Sequence, residues 1–159
     1  LKPTDTRAMP LILPRPRPDL PTKTQKSYQR YVRLIDAIHE KEVPDTFTAQ
    51  VNPWIEGLNG LADNDPVLGK VIRKTRSRIT NKTIKELKLV PKGYYQTLWM
   101  VLGMTIFGLP FGMMFGFAMD NFGLFAVGMP IGMPIGMAIG AGMDKKAADE
   151  GRQLNVSVG

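Results

Sequence analysis

"GMPIGMPIGMAIGAGM" occupies residues Gly128–Met143 and runs directly into Asp144, Lys145 and Lys146. Its sixteen residues hold five glycines and two prolines, the two poorest helix formers in water. Yet Gly128, Gly132, Gly136 and Gly140 recur every fourth residue, which is a helical period. The stretch makes sense in lipid. There an unpaired backbone group costs several kcal/mol, so a helix holds its own hydrogen bonds despite weak propensity. Glycine then offers close backbone approach, since Gly-x-x-x-Gly forms a flat groove for a second helix.

The rest of the chain supports two solvents. Residues 1 to 93 carry 18 Lys and Arg against 10 Asp and Glu. Residues 94 to 143 carry no Lys or Arg and one acid, Asp120, while holding 10 of the 16 glycines and 9 of the 10 methionines. Residues 144 to 159 carry three charges of each sign. A bilayer core needs about 20 apolar helical residues. The pattern therefore predicts an all-α membrane protein with a transmembrane hairpin over 93–143, its spans at about 95–118 and 123–143, joined by a turn at Asp120–Gly123. Tyr94, Tyr95 and Trp99 open the first span as an interfacial aromatic belt. Lys and Arg flank the pair of spans and are missing from the turn, so both termini are expected in the cytoplasm. The competing reading, a helical pair buried in a large soluble partner, would need to cover a large apolar surface.

Seen as columns, the second span has Gly128/132/136/140 about 160° around the helix from Pro130/Pro134/Ala138. Two narrow faces result, one to meet the first span and one to meet a neighbouring chain. Gly108, Gly112 and Gly116 supply the matching groove of the first span, beside a ridge of Phe107, Phe111 and Phe115. A homo-oligomer, or a subunit of a membrane complex, follows as the expected assembly. Pro110, Pro130 and Pro134 each remove a backbone donor and are expected at helix kinks, freeing the carbonyls of Ile106, Ala126 and Pro130. Few polar side chains, Gln96 and Thr105 among them, lie in the spans, so an ion path would rest on backbone carbonyls or a hydrophobic gate.

Before the spans, residues 1–21 form a proline-rich extended arm: Pro10, Pro14, Pro16, Pro18 and Pro21 forbid helix and favour a polyproline-type strand. It serves as a linker or as a docking strand for a protein partner. No signal peptide is read in its prolines and charges. Residues 22–92 read as a small, basic, mainly helical cytoplasmic region. One amphipathic helix spans 22–43 on Tyr28, Tyr31, Leu34, Ile35 and Ile38, with Arg33, Asp36, Ala37 and Glu40 on its solvent side, and Pro44 stops it. Asn52 caps a short helix from Pro53 to Leu61, with Trp54, Leu58 and Leu61 inward, and Asp65 caps another after Pro66 with Val67, Leu68, Val71 and Ile72 apolar. Residues 78–90 fit helix or strand. Arg73, Lys74, Arg76, Arg78, Lys82, Lys85, Lys88 and Lys92, with Lys70, face the single acid Glu86. Next to a span this run points to anionic lipid headgroups. Nucleic acid is the weaker reading, because no recognition motif accompanies the charge.

The chain has no cysteine, which excludes disulfides, zinc thiolates and thiol nucleophiles. His39 is the one histidine and lacks a partner for catalysis or metal binding. No phosphate loop, nucleophile elbow or paired-carboxylate motif appears, so a non-enzyme without cofactor or metal is expected. The stretch "GMPIGMPIGMAIGAGMDKKAADEGRQL" resembles small bacterial two-span glycine-zipper membrane proteins. That resemblance covers about Trp99 to Leu154, with the tail Asp144–Leu154 its more specific part, and implies a bacterial inner-membrane hairpin. Three functions compete: a membrane-anchored structural or adaptor subunit, an oligomerising membrane-permeabilising (pore-forming) effector, and an anionic-lipid or nucleic-acid binding module.

Overall fold

The computed structural model describes residues 10–157, the side chains of Phe122, Leu124 and Phe125 aside. The part of the arm at residues 1–9 and the last two residues of the tail lie outside that range. Helix dominates, and the chain divides into two compact units, Leu1–Leu89 and Val90–Gly159.

Unit 1 holds three helices, α1 (Thr22–His39), α2 (Asp45–Asn59) and α3 (Leu68–Lys82). Helix α3 packs against both α1 and α2. Tyr31, Ile35, Ile38, Phe47, Val51, Ile55, Leu58, Leu68, Ile72 and Ile79 fill the core. Ala37, expected on the solvent side of α1, is buried with them.

Helix α2 departs most from the sequence expectation. It begins at Asp45, not at Pro53, so Asn52 is an interior residue and not a cap. Extended Pro44 sets the start, and the amides of Phe47 and Thr48 bond its carbonyl. The stripe Phe47, Val51, Ile55 and Leu58 then drives eight residues of helix upstream of Pro53. Pro53 sits inside at the cost of one bond, and the residue whose carbonyl it leaves, Ala49, is exposed to water. Leu61 falls beyond the helix and Val67 lies exposed before α3. Asp65 does not cap α3 directly: its carboxylate accepts from the Val67 amide at 2.9 Å, making a local turn ahead of the helix.

Residues 78–90 contain both structures. Helix α3 runs to Lys82, a wide π-turn covers Thr83–Leu87, left-handed Lys88 (φ 56°) ends it, and a strand begins at Val90. That strand, β1 (Val90–Lys92), opens unit 2 and pairs in parallel with β2 (Gln153–Ser157). This pair is a short two-stranded sheet in an otherwise helical chain. Gly151, at φ 68°, reverses the chain after the last helix, so β2 comes back alongside β1. The Arg152 amide bonds the Ala147 carbonyl and the Gly151 amide that of Ala148, which is a Schellman closure needing a left-handed residue.

Between the strands, α4 (Tyr94–Gly103), a π-turn at Met104–Gly108 and α5 (Leu109–Ala118) form one continuous helical run. It is long and apolar enough to cross a membrane, and only 17% of its apolar window is buried. The run ends in a second Schellman closure: Asp120 takes φ 47°, and the Asn121 amide bonds the Gly116 carbonyl. The expected turn at Asp120–Gly123 is longer, because a 3-10 stretch occupies Phe122–Val127 before α6 (Gly128–Asp149) begins. Helix α6 has sixteen residues before Asp144, roughly 24 Å of rise, and then four charges among Asp144, Lys145, Lys146 and Asp149. Among the described residues, Tyr94–Ala118 is therefore the one helical run that meets the length and apolarity of a span.

Candidate functional site: a glycine interface closed by a carboxylate

Helix α6 folds back along α4 and α5 and meets them through backbone. Gly128, Gly132, Gly136 and Gly140 are all buried. A methyl placed on any of them would strike main-chain atoms. Gly128 faces Gly108 and Gly112, Gly132 faces Gly103 and Gly108, and Gly136 faces Trp99 and Gly103. At Gly140 the methyl would lie 2.5 Å from the Tyr95 carbonyl and the Gln96 Cα. Such separations are far below contact distance, so the four glycines set how close the two helical runs lie. Gly142, off this column, has open space beside it.

The facing groove differs from the four-residue pattern of Gly108, Gly112 and Gly116. Gly103 joins it, while Gly116 is turned to the closing turn, with Asn121 as its neighbour. Gly103 and Gly108 are five residues apart, a step that would rotate off the face in an α-helix. The π-turn at Met104–Gly108 absorbs the extra residue and returns Gly108 to the line. Pro110 explains its position. It has no amide to give the carbonyl of Ile106, which lies within the widened turn. Pro130 lies in the first turn of α6, where an amide has no helical partner to lose, so the kink expected there has no lost bond behind it. Pro134 is interior. Pro130, Pro134 and Ala138 are exposed, so the second narrow face of α6 is uncovered within this chain.

Asp144 extends the glycine column by one more four-residue step. Its side chain is buried, and its two carboxylate oxygens accept from the Tyr95 amide at 3.1 Å and the Gln96 amide at 2.9 Å. Those amides belong to the first turn of α4, where helical donors have no internal partner and the dipole favours a negative charge. A carboxylate on one helix thus caps the other, 48 and 49 residues away. Asp144 was legible only as the charge ending the apolar block; the signal for its role was its place four residues after Gly140. Tyr94 and Tyr95 stack edge to face at 5.2 Å between ring centres, and both, like Trp99, are partly exposed at the start of α4.

The cations expected at lipid headgroups lie on α3, away from its buried Ile72, Thr75 and Ile79, and on the segment that follows it. Arg73, Lys74, Arg78, Lys85 and Lys88 are exposed and Arg76 is half-buried. Lys82 is engaged, its Nζ donating to Gln50 and Glu86 at 2.5 Å each. Lys92 stands in unit 2, on β1, bonded to Asn155 at 2.7 Å. His39 is exposed at the end of α1, and among the described residues no group of three or more His, Asp or Glu is placed to hold a metal ion.

No protein-family model, curated protein or solved structure matches the chain.

Proposed function

We propose that the protein is a membrane-anchored structural or adaptor subunit. Unit 2 inserts as a two-helix hairpin, and unit 1 stands in the cytoplasm as the part that meets a partner. The observation that carries this reading is the outer surface of unit 2. Among the described residues, twelve of the fourteen exposed large hydrophobic side chains lie between Leu98 and Met143, including Val101, Ile106, Phe117 and Met119. A soluble monomer rarely keeps so continuous an apolar surface in water. Burial argues the same way, because the core helix of a soluble protein would be largely covered, whereas the Tyr94–Ala118 run is largely bare.

In this reading α6 completes its crossing with the 3-10 stretch Phe122–Val127, the added rise bringing the second arm near the ~30 Å of a bilayer core. The exposed Pro130, Pro134 and Ala138 face packs on a second copy or on another membrane subunit, since small residues favour close helix contact in lipid. The exposed cations of α3 meet anionic headgroups. In this reading the hairpin lies in a bacterial inner membrane with both termini cytoplasmic, an orientation supported by the basic residues that flank it.

Expression in bacteria with a membrane-potential dye, paired with a mild-detergent pull-down, tests this reading. An adaptor leaves the potential intact and brings down a stoichiometric partner. Depolarisation that vanishes in Ala138→Leu, a change on the uncovered face, would instead make the protein a pore-forming effector.

A further inference from the structure

The arm is not loose between residues 10 and 20: it lies along α2, and the helix reads its main chain. Asn52 donates through Nδ2 to the Pro10 carbonyl at 3.0 Å and accepts through Oδ1 from the Ile12 amide at 3.0 Å. Asn59 repeats the bracket three arm residues on, donating to the Leu13 carbonyl at 3.1 Å and accepting from the Arg15 amide at 2.9 Å. The spacing explains the repeat. Three residues of polyproline strand rise about 9 Å, and seven residues of α-helix rise about 10.5 Å. Seven residues are also two helical turns, so both amides lie on one face and each meets one turn of the strand.

Side-chain selection comes at the far end. The Arg17 side chain is fully buried, with its NH2 donating to the carbonyls of Leu58 and Leu61 at 2.8 Å each, where α2 ends and accepts positive charge. It pairs with Asp63 and lies 5.9 Å above the Tyr28 ring centre. Tyr28 in turn donates to the Arg15 carbonyl. Leu11 and Leu20 are buried at the two ends of the strand.

We propose that this face of unit 1 is a docking site for a proline-rich, arginine-bearing strand, and that the chain's own arm is a resident occupant exchanged for a strand of the same chemistry supplied in trans. The Asn brackets use only main-chain groups, so they accept any strand with the right backbone shape. Proline at positions 14, 16 and 18 gives up neither bracket, because the arm amides that the two asparagines bind are those of Ile12 and Arg15. Asn52 is 6% exposed, and among the described residues both ends of its amide bond to the arm. An empty site would strand it at a cost of about 1–3 kcal/mol, which favours occupancy by some strand. Arginine is specified by carbonyls, carboxylate and ring together, a set that a compact ammonium does not match.

The test uses the chain lacking residues 1–21, in detergent micelles, and a fluorescent peptide of residues 10–21 followed by anisotropy. The site predicts saturable one-to-one binding. Asn52→Ala with Asn59→Ala, or Arg17→Lys in the peptide, should weaken it at least about tenfold. The intact chain should bind at least about tenfold more weakly than the truncated one, because its own arm competes. A folded truncated chain that binds no peptide, or binding indifferent to the Asn pair, overturns the proposal. Should truncation prevent folding, a protease site inserted between Asp19 and Leu20 of the intact chain replaces it. After cleavage the arm should remain bound and then give way to excess labelled peptide. An arm that leaves without being replaced, or that excess peptide cannot displace, overturns the proposal equally.

Discussion

Tyr31 is fully buried in unit 1, and its hydroxyl has no hydrogen-bond partner among the described residues. A stranded donor is a cost, so Tyr31→Phe should raise stability by about 1 kcal/mol. Urea unfolding followed by Trp54 fluorescence in a Trp99→Phe background checks it. Burial also pushes the Tyr31 phenol well above its ordinary 10, and Tyr28 above it too. The sign follows: the unfolded phenol ionises near 10 while the folded one stays protonated. Stability is therefore complete below that pH and falls as pH rises through the folded value. The midpoint should hold up to about pH 9 and drop above about pH 10, less steeply in Tyr31→Phe. Asp144 stabilises unit 2 through geometry, since its two hydrogen bonds close the start of α4. Asp144→Ala should cost about 1–3 kcal/mol in thermal unfolding of the full chain in micelles. Tyr31 does not announce its role in the sequence, because a hydrogen bond missing in a core leaves no periodic trace, whereas the one sign of Asp144's role is its place four residues after Gly140.

Among the elements, the glycine column of α6 was the most legible. Its period survives folding unchanged, and every member meets backbone. The partner groove was read one member short and one too far: Gly103 was missed, because a five-residue step from Gly103 to Gly108 looks off-face unless a π-turn is foreseen, and Gly116 faces the closing turn instead. Pro110 was the available clue. This gives a sharp test: deleting Ile106 should turn the π-turn into an α-turn and keep Gly103 in line, whereas deleting Met113 should rotate Gly116 away from Asn121 and break the closing turn. Helical content and melting in micelles would separate the two, the first near wild type and the second strongly lowered. Gly136→Ala should also lower the melting temperature, since its methyl has no room. Gly142→Ala should leave it unchanged or raise it, by up to ~1 kcal/mol of helix propensity. The early start of α2 was legible in the stripe Phe47, Val51, Ile55 and Leu58. The cap signal of Asn52–Pro53 obscured it, and Asn52 serves the arm instead.

At the scale of the whole molecule, the composition break near residue 93 coincides within a few residues with the division into units at 89 and 90. That boundary was readable because charge sorts by solvent and needs no knowledge of packing. The strand pair β1–β2 was not, since two short parallel strands 63 residues apart in register have no local signature. It ties the segment entering α4 to the segment leaving α6, as a chain that goes out and returns on one side of a bilayer would need. The central claim is that out-and-back crossing, and the lack of cysteine makes it directly measurable. Single-cysteine variants Lys92→Cys, Asn121→Cys and Lys145→Cys in bacterial spheroplasts would be exposed to a membrane-impermeant thiol reagent. The account predicts labelling of Asn121→Cys in intact spheroplasts, and of the other two only after permeabilisation. Labelling of all three positions from the same side would contradict it.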